Sequence, residues 1–178
     1  MGGFFGCASK GSCVADIFYG SDYHSHLGNI RGGLLVYGRN GFQRFIHDIR
    51  KDPFRSKFEQ HLDGMDGNLG IGSVSDTDPQ PLNVAGEFGT FGVAMVGLIS
   101  NQEALQKELC HGGIHFSELV NGKVGPTEIA AALLATKPTI RDGLLHMQEK
   151  VEGSCSVLVL SPEGVYACRD KLGRTPVV

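Results

Sequence analysis

At 178 residues, 41% hydrophobic and 20% charged, the chain is long enough for one domain with a substantial core. Its formal net charge of -3 offers no attraction to nucleic acid or an anionic membrane, and no apolar run reaches the roughly 20 residues that span a bilayer. The N-terminus lacks the basic start and long apolar stretch of a signal peptide, and Gly6 stands where a myristoylation signal needs Ser or Thr, so a cytoplasmic location is expected.

Taken in chain order, residues 3–7 read as a buried strand and 32–37 as a second. Residues 42–49 alternate only weakly, because Phe45 and Ile49 break the period. Asp52-Pro53 bars a helix before it, and Phe54, Phe58, Leu62 and Met65 then recur at helical spacing. Residues 67–75 are glycine-rich and strand-like, and Asp76-Thr77-Asp78-Pro79-Gln80-Pro81 makes a rigid polar turn. Residues 88–99 return to strand, and 101–108 form a short helix. Pro126 suits the first turn of a helix that runs through 129–135, and Thr139 can cap another over 140–151. A hairpin pairs 155–160 with 164–168 about Ser161-Pro162-Glu163-Gly164. The 26 glycines, set between short apolar segments, predict strands joined by tight turns, and with the paired helices the expectation is an α+β layered fold. No repeat or break in composition divides residues 1–178.

The residue types that carry chemistry are scattered. The five cysteines include no CxxC pair, so reduced thiols are expected, with Cys155 and Cys168 acting as small hydrophobes in strands. Cys7 lies along the first strand and reads as a core residue rather than a nucleophile. If extended, His24-x-His26 would place both imidazoles on one side, with Asp22 nearby, but no further metal ligands accompany them. No metal is expected. Asp76-x-Asp78 reads as turn capping, His111 and His115 as loop or surface residues, and Arg169-Asp170 as a structural ion pair.

Several segments, in order, resemble the glutaminase domain of class II glutamine amidotransferases, which belong to the N-terminal nucleophile hydrolases. Gly3-Phe4-Phe5-Gly6 is similar to the glycine-bounded strand after the family nucleophile. His26-Leu27-Gly28-Asn29 falls where the family has His-Arg-Gly-Gln, with Gly33 following. Gly70-Ile71-Gly72 and Gln80-Pro81 fit the loop that normally carries Gly-His-x-Arg-Tyr-Ser. Residues 97–101, Thr127-Glu128, Gly153-Ser154-Cys155-Ser156 and Arg169-Asp170-x-x-Gly173-x-x-Pro176 complete the likeness. Within the family, the likeness is strongest to the amidophosphoribosyltransferase type.

The resemblance implies a four-layer αββα sandwich of two antiparallel sheets. It also implies a terminal cysteine, exposed by removal of Met1, whose thiol attacks the glutamine amide while its α-amine acts as base. The chain departs from this pattern at each chemical position. Gly2 occupies the nucleophile position. Ser75 replaces the Arg that clasps the substrate carboxylate, with Ser73 in place of the neighbouring His. Val96 replaces the oxyanion Asn, although the oxyanion-hole glycine is kept as Gly97. Pro126 replaces the Asp that binds the substrate ammonium. Loss of the Arg clasp alone forfeits a charge-assisted contact worth roughly 1.5–3 kcal/mol.

Two functions remain open from the residues. One is a glutaminase-type domain that supplies ammonia for purine biosynthesis, joined to a phosphoribosyltransferase domain in cis or on another chain. The other is an inactive module for regulation, partner docking or binding of a small molecule other than glutamine. No cofactor is expected in this domain, and association into a homo-oligomer is.

Overall fold

The computed structural model describes residues 2–116, 119–120 and 122–178. The removal of Met1 that the resemblance implies concerns a residue outside these. The elements in order are β1 (Gly2–Ala8), α1 (Val14–Tyr23), β2 (Arg31–Gly38), β3 (Gly41–Asp48), α2 (Phe54–Phe58), β4 (Leu69–Ser75), β5 (Leu82–Gly86), β6 (Gly89–Ile99), α3 (Gln102–His111), β7 (Leu119–Val120), β8 (Lys123–Val124), α4 (Pro126–Ala135), α5 (Ile140–Lys150), β9 (Gly153–Ser161) and β10 (Gly164–Cys168). Two four-stranded sheets, ordered β1-β4-β2-β3 and β10-β9-β6-β5, are antiparallel throughout; β7 and β8 pair separately.

Alternation along the strands explains the layering. In β6, Phe91, Val93 and Met95 face outward into a core with Leu105, Ile129, Leu133, Leu134 and Met147 from α3, α4 and α5. The alternate residue Ala94 faces inward and meets Leu35, Ile71, Leu158 and Leu160 between the sheets. Its inner-face neighbour Gly92 is required by this approach, since a β-carbon there would lie 2.1 Å from Leu35 Cδ2. On the far side of the first sheet, Ile17 and Phe18 of α1 and Phe54 and Phe58 of α2 close over Leu34, Val36 and Val74. Each such side chain contributes about 1.5–3 kcal/mol by leaving water. The result is the expected four-layer α+β sandwich.

Several local expectations need correction. Residues 14–23 form α1, which no periodicity in the sequence announced, and β5 forms between the 76–81 turn and the strand expected over 88–99, where no element was expected. His24–Leu27 is a 3₁₀ turn, so the extended geometry considered for His24 and His26 is absent. The helix expected over 54–65 divides into α2 and a 3₁₀ segment, Glu59–Gly64. Asp63 and Gly64 are weak helix formers, and the tighter turn still lets Leu62 and Met65 pack into the core. Arg169 and Asp170 serve the closing turn separately: Arg169 Nη2 donates to the Gly173 carbonyl at 2.9 Å, while Asp170 accepts the N–H groups of Leu172, Arg174 and Thr175.

Candidate functional site

The pairing register brings Gly2, Ser73 and Ser75 to one end of the first sheet, while Val96 and Gly97 lie in β6 of the second sheet and Pro126 opens α4. Ser75, in β4, lies opposite Gly2 on one side and opposite Arg31 on the other. Ser73 lies opposite Phe4 and Gly33. Ser73 and Ser75 share the inward face with Ile71, a residue of the core between the sheets, and are 1% and 2% exposed. Val96 shares its inward face with Ala94 and pairs with Ser156 of β9. Gly97 opposes Cys155, and its φ of +147° together with the Ser154 carbonyl, 2.1 Å from any added β-carbon, permits only glycine there.

Gly2 is constrained by its neighbour rather than by its dihedral angles. A β-carbon at Gly2 would lie 2.7 Å from the carbonyl oxygen of Val74, inside the limit of ordinary contact. Gly28 is nearly as close, because a β-carbon there would lie 3.0 Å from the Ser75 nitrogen, so the 26–28 segment packs against the end of β4. His26 is exposed and its Nδ1 contacts the Tyr23 carbonyl at 2.8 Å.

A polar chain links these positions. The Ser75 hydroxyl lies 3.0 Å from Thr77 Oγ1 and accepts the Thr77 N–H at 3.1 Å, closing a short side-chain turn. Thr77 Oγ1 donates to Asp78 Oδ1 at 2.8 Å, and the other oxygen of Asp78 accepts the Thr127 N–H at 2.9 Å. Asp78 therefore caps α4 from 49 residues away, beside Pro126 in the first turn, where a carboxylate also complements the helix dipole. Gln80 Oε1 accepts the Met95 N–H at 2.7 Å, next to Val96. The 76–81 turn thus ties the first sheet to β6 and α4.

This arrangement leaves little chemistry at the implied reaction centre. Gly2 presents no thiol, and the Ser75 hydroxyl is engaged in its own turn. The Ser73 hydroxyl is buried with no partner among the described residues. Asp76 is held below the usual carboxylate range, chiefly by the Asn29 N–H, which donates to it at 2.8 Å. Cys7 is no substitute nucleophile: burial and then the charge of Asp16 push its thiol pKa up. Asp22 is engaged with Arg55 at 2.7 Å rather than with the nearby histidines. Among the described residues, no group of three or more His, Cys, Asp or Glu side chains is placed to hold a metal ion, and no helix is long and apolar enough to cross a membrane.

The polar turn over residues 76–81 was legible in the sequence, but the turn-capping role expected of Asp76 and Asp78 needs correction: Asp76 accepts the Asn29 N–H, Asp78 reaches α4, and Ser75 accepts the N–H within the turn. No local pattern signals a contact across 49 residues, and the same holds for Gln80 and Met95.

No protein-family model matches the chain. The amidophosphoribosyltransferase of Methanocaldococcus jannaschii is 26% identical over 188 aligned residues, which take in 99% of this chain and 39% of that protein. The amidophosphoribosyltransferase of Methanothermobacter thermautotrophicus is also 26% identical, covering 98% of this chain and 38% of that protein. The chain thus spans about two fifths of the length of these relatives. The solved glutamine phosphoribosylpyrophosphate amidotransferase of B. subtilis, complexed with ADP and GMP, superposes with a TM-score of 0.81 at 20% identity, covering 97% of this chain and 38% of that one. A structure described as the allosteric regulatory enzyme of purine biosynthesis gives a TM-score of 0.75 at 19% identity, over 90% of this chain and 35% of that one. The chain therefore has the fold of a class II glutamine amidotransferase domain of the N-terminal nucleophile hydrolase type, and its sequence is similar to the amidophosphoribosyltransferases over nearly its whole length.

Proposed function

We propose that this chain is an amidophosphoribosyltransferase-type glutaminase domain that has kept its fold and lost the glutaminase reaction. The observation that carries this reading is the closeness of the Val74 carbonyl to Gly2, 2.7 Å from where a β-carbon would begin. The position of the family nucleophile has no side chain, and the backbone around it has closed in.

The remaining positions agree. Acyl transfer from glutamine needs a nucleophile, donors for the oxyanion, and groups that hold both charged ends of the substrate. Gly97 could supply a backbone N–H, but Val96 has no donor to place beside it. Ser75 and Pro126 carry no charge with which to hold a carboxylate or an ammonium. The burial of Ser73 and Ser75 supports a filled site rather than one waiting for a ligand.

The relatives' names associate domains of this kind with amidophosphoribosyl transfer, and one solved relative with purine biosynthesis. In that setting the domain would act beside a phosphoribosyltransferase domain, in cis or on another chain, as a docking or regulatory module. Ammonia release from glutamine tests the reading. The unaltered chain and its Gly2→Cys variant should both remain at background, and release by the variant at a rate ordinary for a glutaminase would overturn it.

A further inference from the structure

Away from this site, two imidazoles meet tip to tip. His47, in β3, and His61, in the 3₁₀ segment after α2, bring their Nε2 atoms to 2.8 Å. Their ring planes lie within 15° of parallel and their centroids 5.0 Å apart, so each nitrogen points at the other rather than at a shared third atom. Aromatic neighbours fix both rings. Phe45 stacks on His61 at 4.4 Å, and Phe58 meets His47 edge-on at 4.9 Å. Gly32, opposite His47 in β2, leaves space for this packing, since a β-carbon there would lie 2.7 Å from Phe54 and 3.1 Å from Phe58.

A hydrogen bond between two imidazoles depends on how many protons they share. In the neutral pair, one Nε2–H donates to the lone pair of the other Nε2. A first added proton settles on Nδ1 of the donor ring, and the bond survives as a charge-assisted one. A second must occupy the accepting Nε2 itself. Two N–H groups and two positive charges then face each other at 2.8 Å, and the contact becomes repulsive. The surrounding charges do little to offset this. From α2, Lys57 adds positive potential but is held by Asp52 at 2.6 Å, and Arg55 is held by Asp22 at 2.7 Å. In the segment that carries His61, Glu59 and Asp63 are exposed to water, and Asp66 beyond it pairs with Arg39. In β3, Arg44 and Asp48 alternate to the other face, where Arg44 donates to the Pro81 carbonyl and Asp48 pairs with Arg31 and Arg50.

We propose that His47 and His61 form a proton-operated latch, which holds residues 59–64 on β3 while the pair carries at most one added proton and releases them when it carries two. The other ties of this segment are neutral. Gln43 donates to the Gly64 carbonyl at 3.1 Å and accepts the Asp66 N–H at 2.8 Å, and Leu62 packs into the core. Release stays local, because β3 keeps its pairing with β2. Burial first, then His61 and Lys57, hold the His47 pKa below its ordinary value of 6.5. A base depressed in this way contributes stability that is fully present above its unfolded pKa and is lost as pH falls through the folded one. The latch therefore opens on the acid side of pH 6.5.

The test is hydrogen exchange and histidine ring resonances of the whole chain from about pH 7.5 to about pH 4.5. Protection factors, which correct for the intrinsic pH dependence of exchange, should fall at least tenfold at Met65 and Asp66 while that of Val159 in β9 holds. In the unaltered protein the pair should titrate in two separated steps, with the loss of protection following the lower one, a readout that does not depend on how a variant folds. His61→Gln, whose amide can donate or accept at any pH, should abolish the pH dependence of that protection. Two overlapping titrations at the ordinary histidine value, protection at Met65 and Asp66 that persists across the whole range, or an equal fall in folded His61→Gln would overturn the latch.

Discussion

The carbonyl oxygen of Val74 lies 2.7 Å from where the β-carbon of any residue other than glycine at position 2 would sit. Restoring a cysteine there would force β1 away from β4 at the very register that places Gly2 opposite Ser75. Overpacking of this kind costs about 1–3 kcal/mol, and fraying of the strand end should keep the loss near the lower figure. Gly2→Ala and Gly2→Cys should therefore both lower the denaturation midpoint by similar amounts. Midpoints unchanged in both variants would show that the site still has room for a nucleophile.

Gly97 should tolerate substitution far less. Alanine there meets the Ser154 carbonyl at 2.1 Å and must also hold a φ of +147°. Gly89 has a φ of +104°, but a β-carbon there would meet nothing within 4 Å. Gly97→Ala should cost about 3 kcal/mol or more and Gly89→Ala about 1 kcal/mol, as read from urea unfolding. Equal losses would mean that the close approach of β6 to β9 is unimportant.

The polar chain from Ser75 to α4 depends on Asp78. Asp78→Ala leaves the buried Thr127 N–H without its acceptor and should cost about 1–2 kcal/mol. Hydrogen exchange should quicken in the first turn of α4 before it does in α5. Uniform quickening across both helices would argue against a local cap.

Asp170 sets part of the acid stability. Three backbone N–H groups, led by that of Thr175, hold its carboxyl below the ordinary value of 3.8. A carboxylate whose folded pKa is depressed contributes stability that is fully present above its unfolded pKa and is lost as pH falls through the folded one. Asp170→Asn should therefore lower stability at neutral pH and flatten its decline below about pH 4. A variant that declines as steeply as the parent would remove Asp170 from the account.

Thiol labelling should follow exposure and ionisation. Cys110 is exposed, whereas burial pushes the Cys13 and Cys155 thiols up to about 12. At pH 8, iodoacetamide should modify Cys110 first, and Cys13 and Cys155 only after unfolding, as read by mass spectrometry of peptides. Early modification of Cys155 would contradict the packing of β9 on α5.

What the sequence disclosed follows from where its signals were local. Pro126 and Thr139 announced α4 and α5 because caps and first-turn prolines act within a few residues; Thr139 does accept the Asp142 N–H. Short apolar or glycine-rich runs bounded by turn residues announced β1, β2, β4 and the β9–β10 hairpin. Helix α1 was missed because Gly20 and the aromatic residues Phe18, Tyr19 and Tyr23 blur its apolar stripe, and it is recruited by packing on β1 and β4. Gly20 itself is needed there, since a β-carbon would lie 2.4 Å from the Phe5 ring. The identities of Gly2, Ser75, Val96 and Pro126 were plain in the sequence, but the closure around them was not. It depends on Val74, Asp78 and Gln80, whose contacts join distant segments.

Binding of glutamine is the most direct measure of whether the site has been lost. Calorimetric titration of the chain with L-glutamine should give no heat beyond dilution at millimolar ligand, because neither charged end of the substrate has a partner at Ser75 or Pro126. Saturable binding at those concentrations, abolished by Ser75→Phe, would contradict the account.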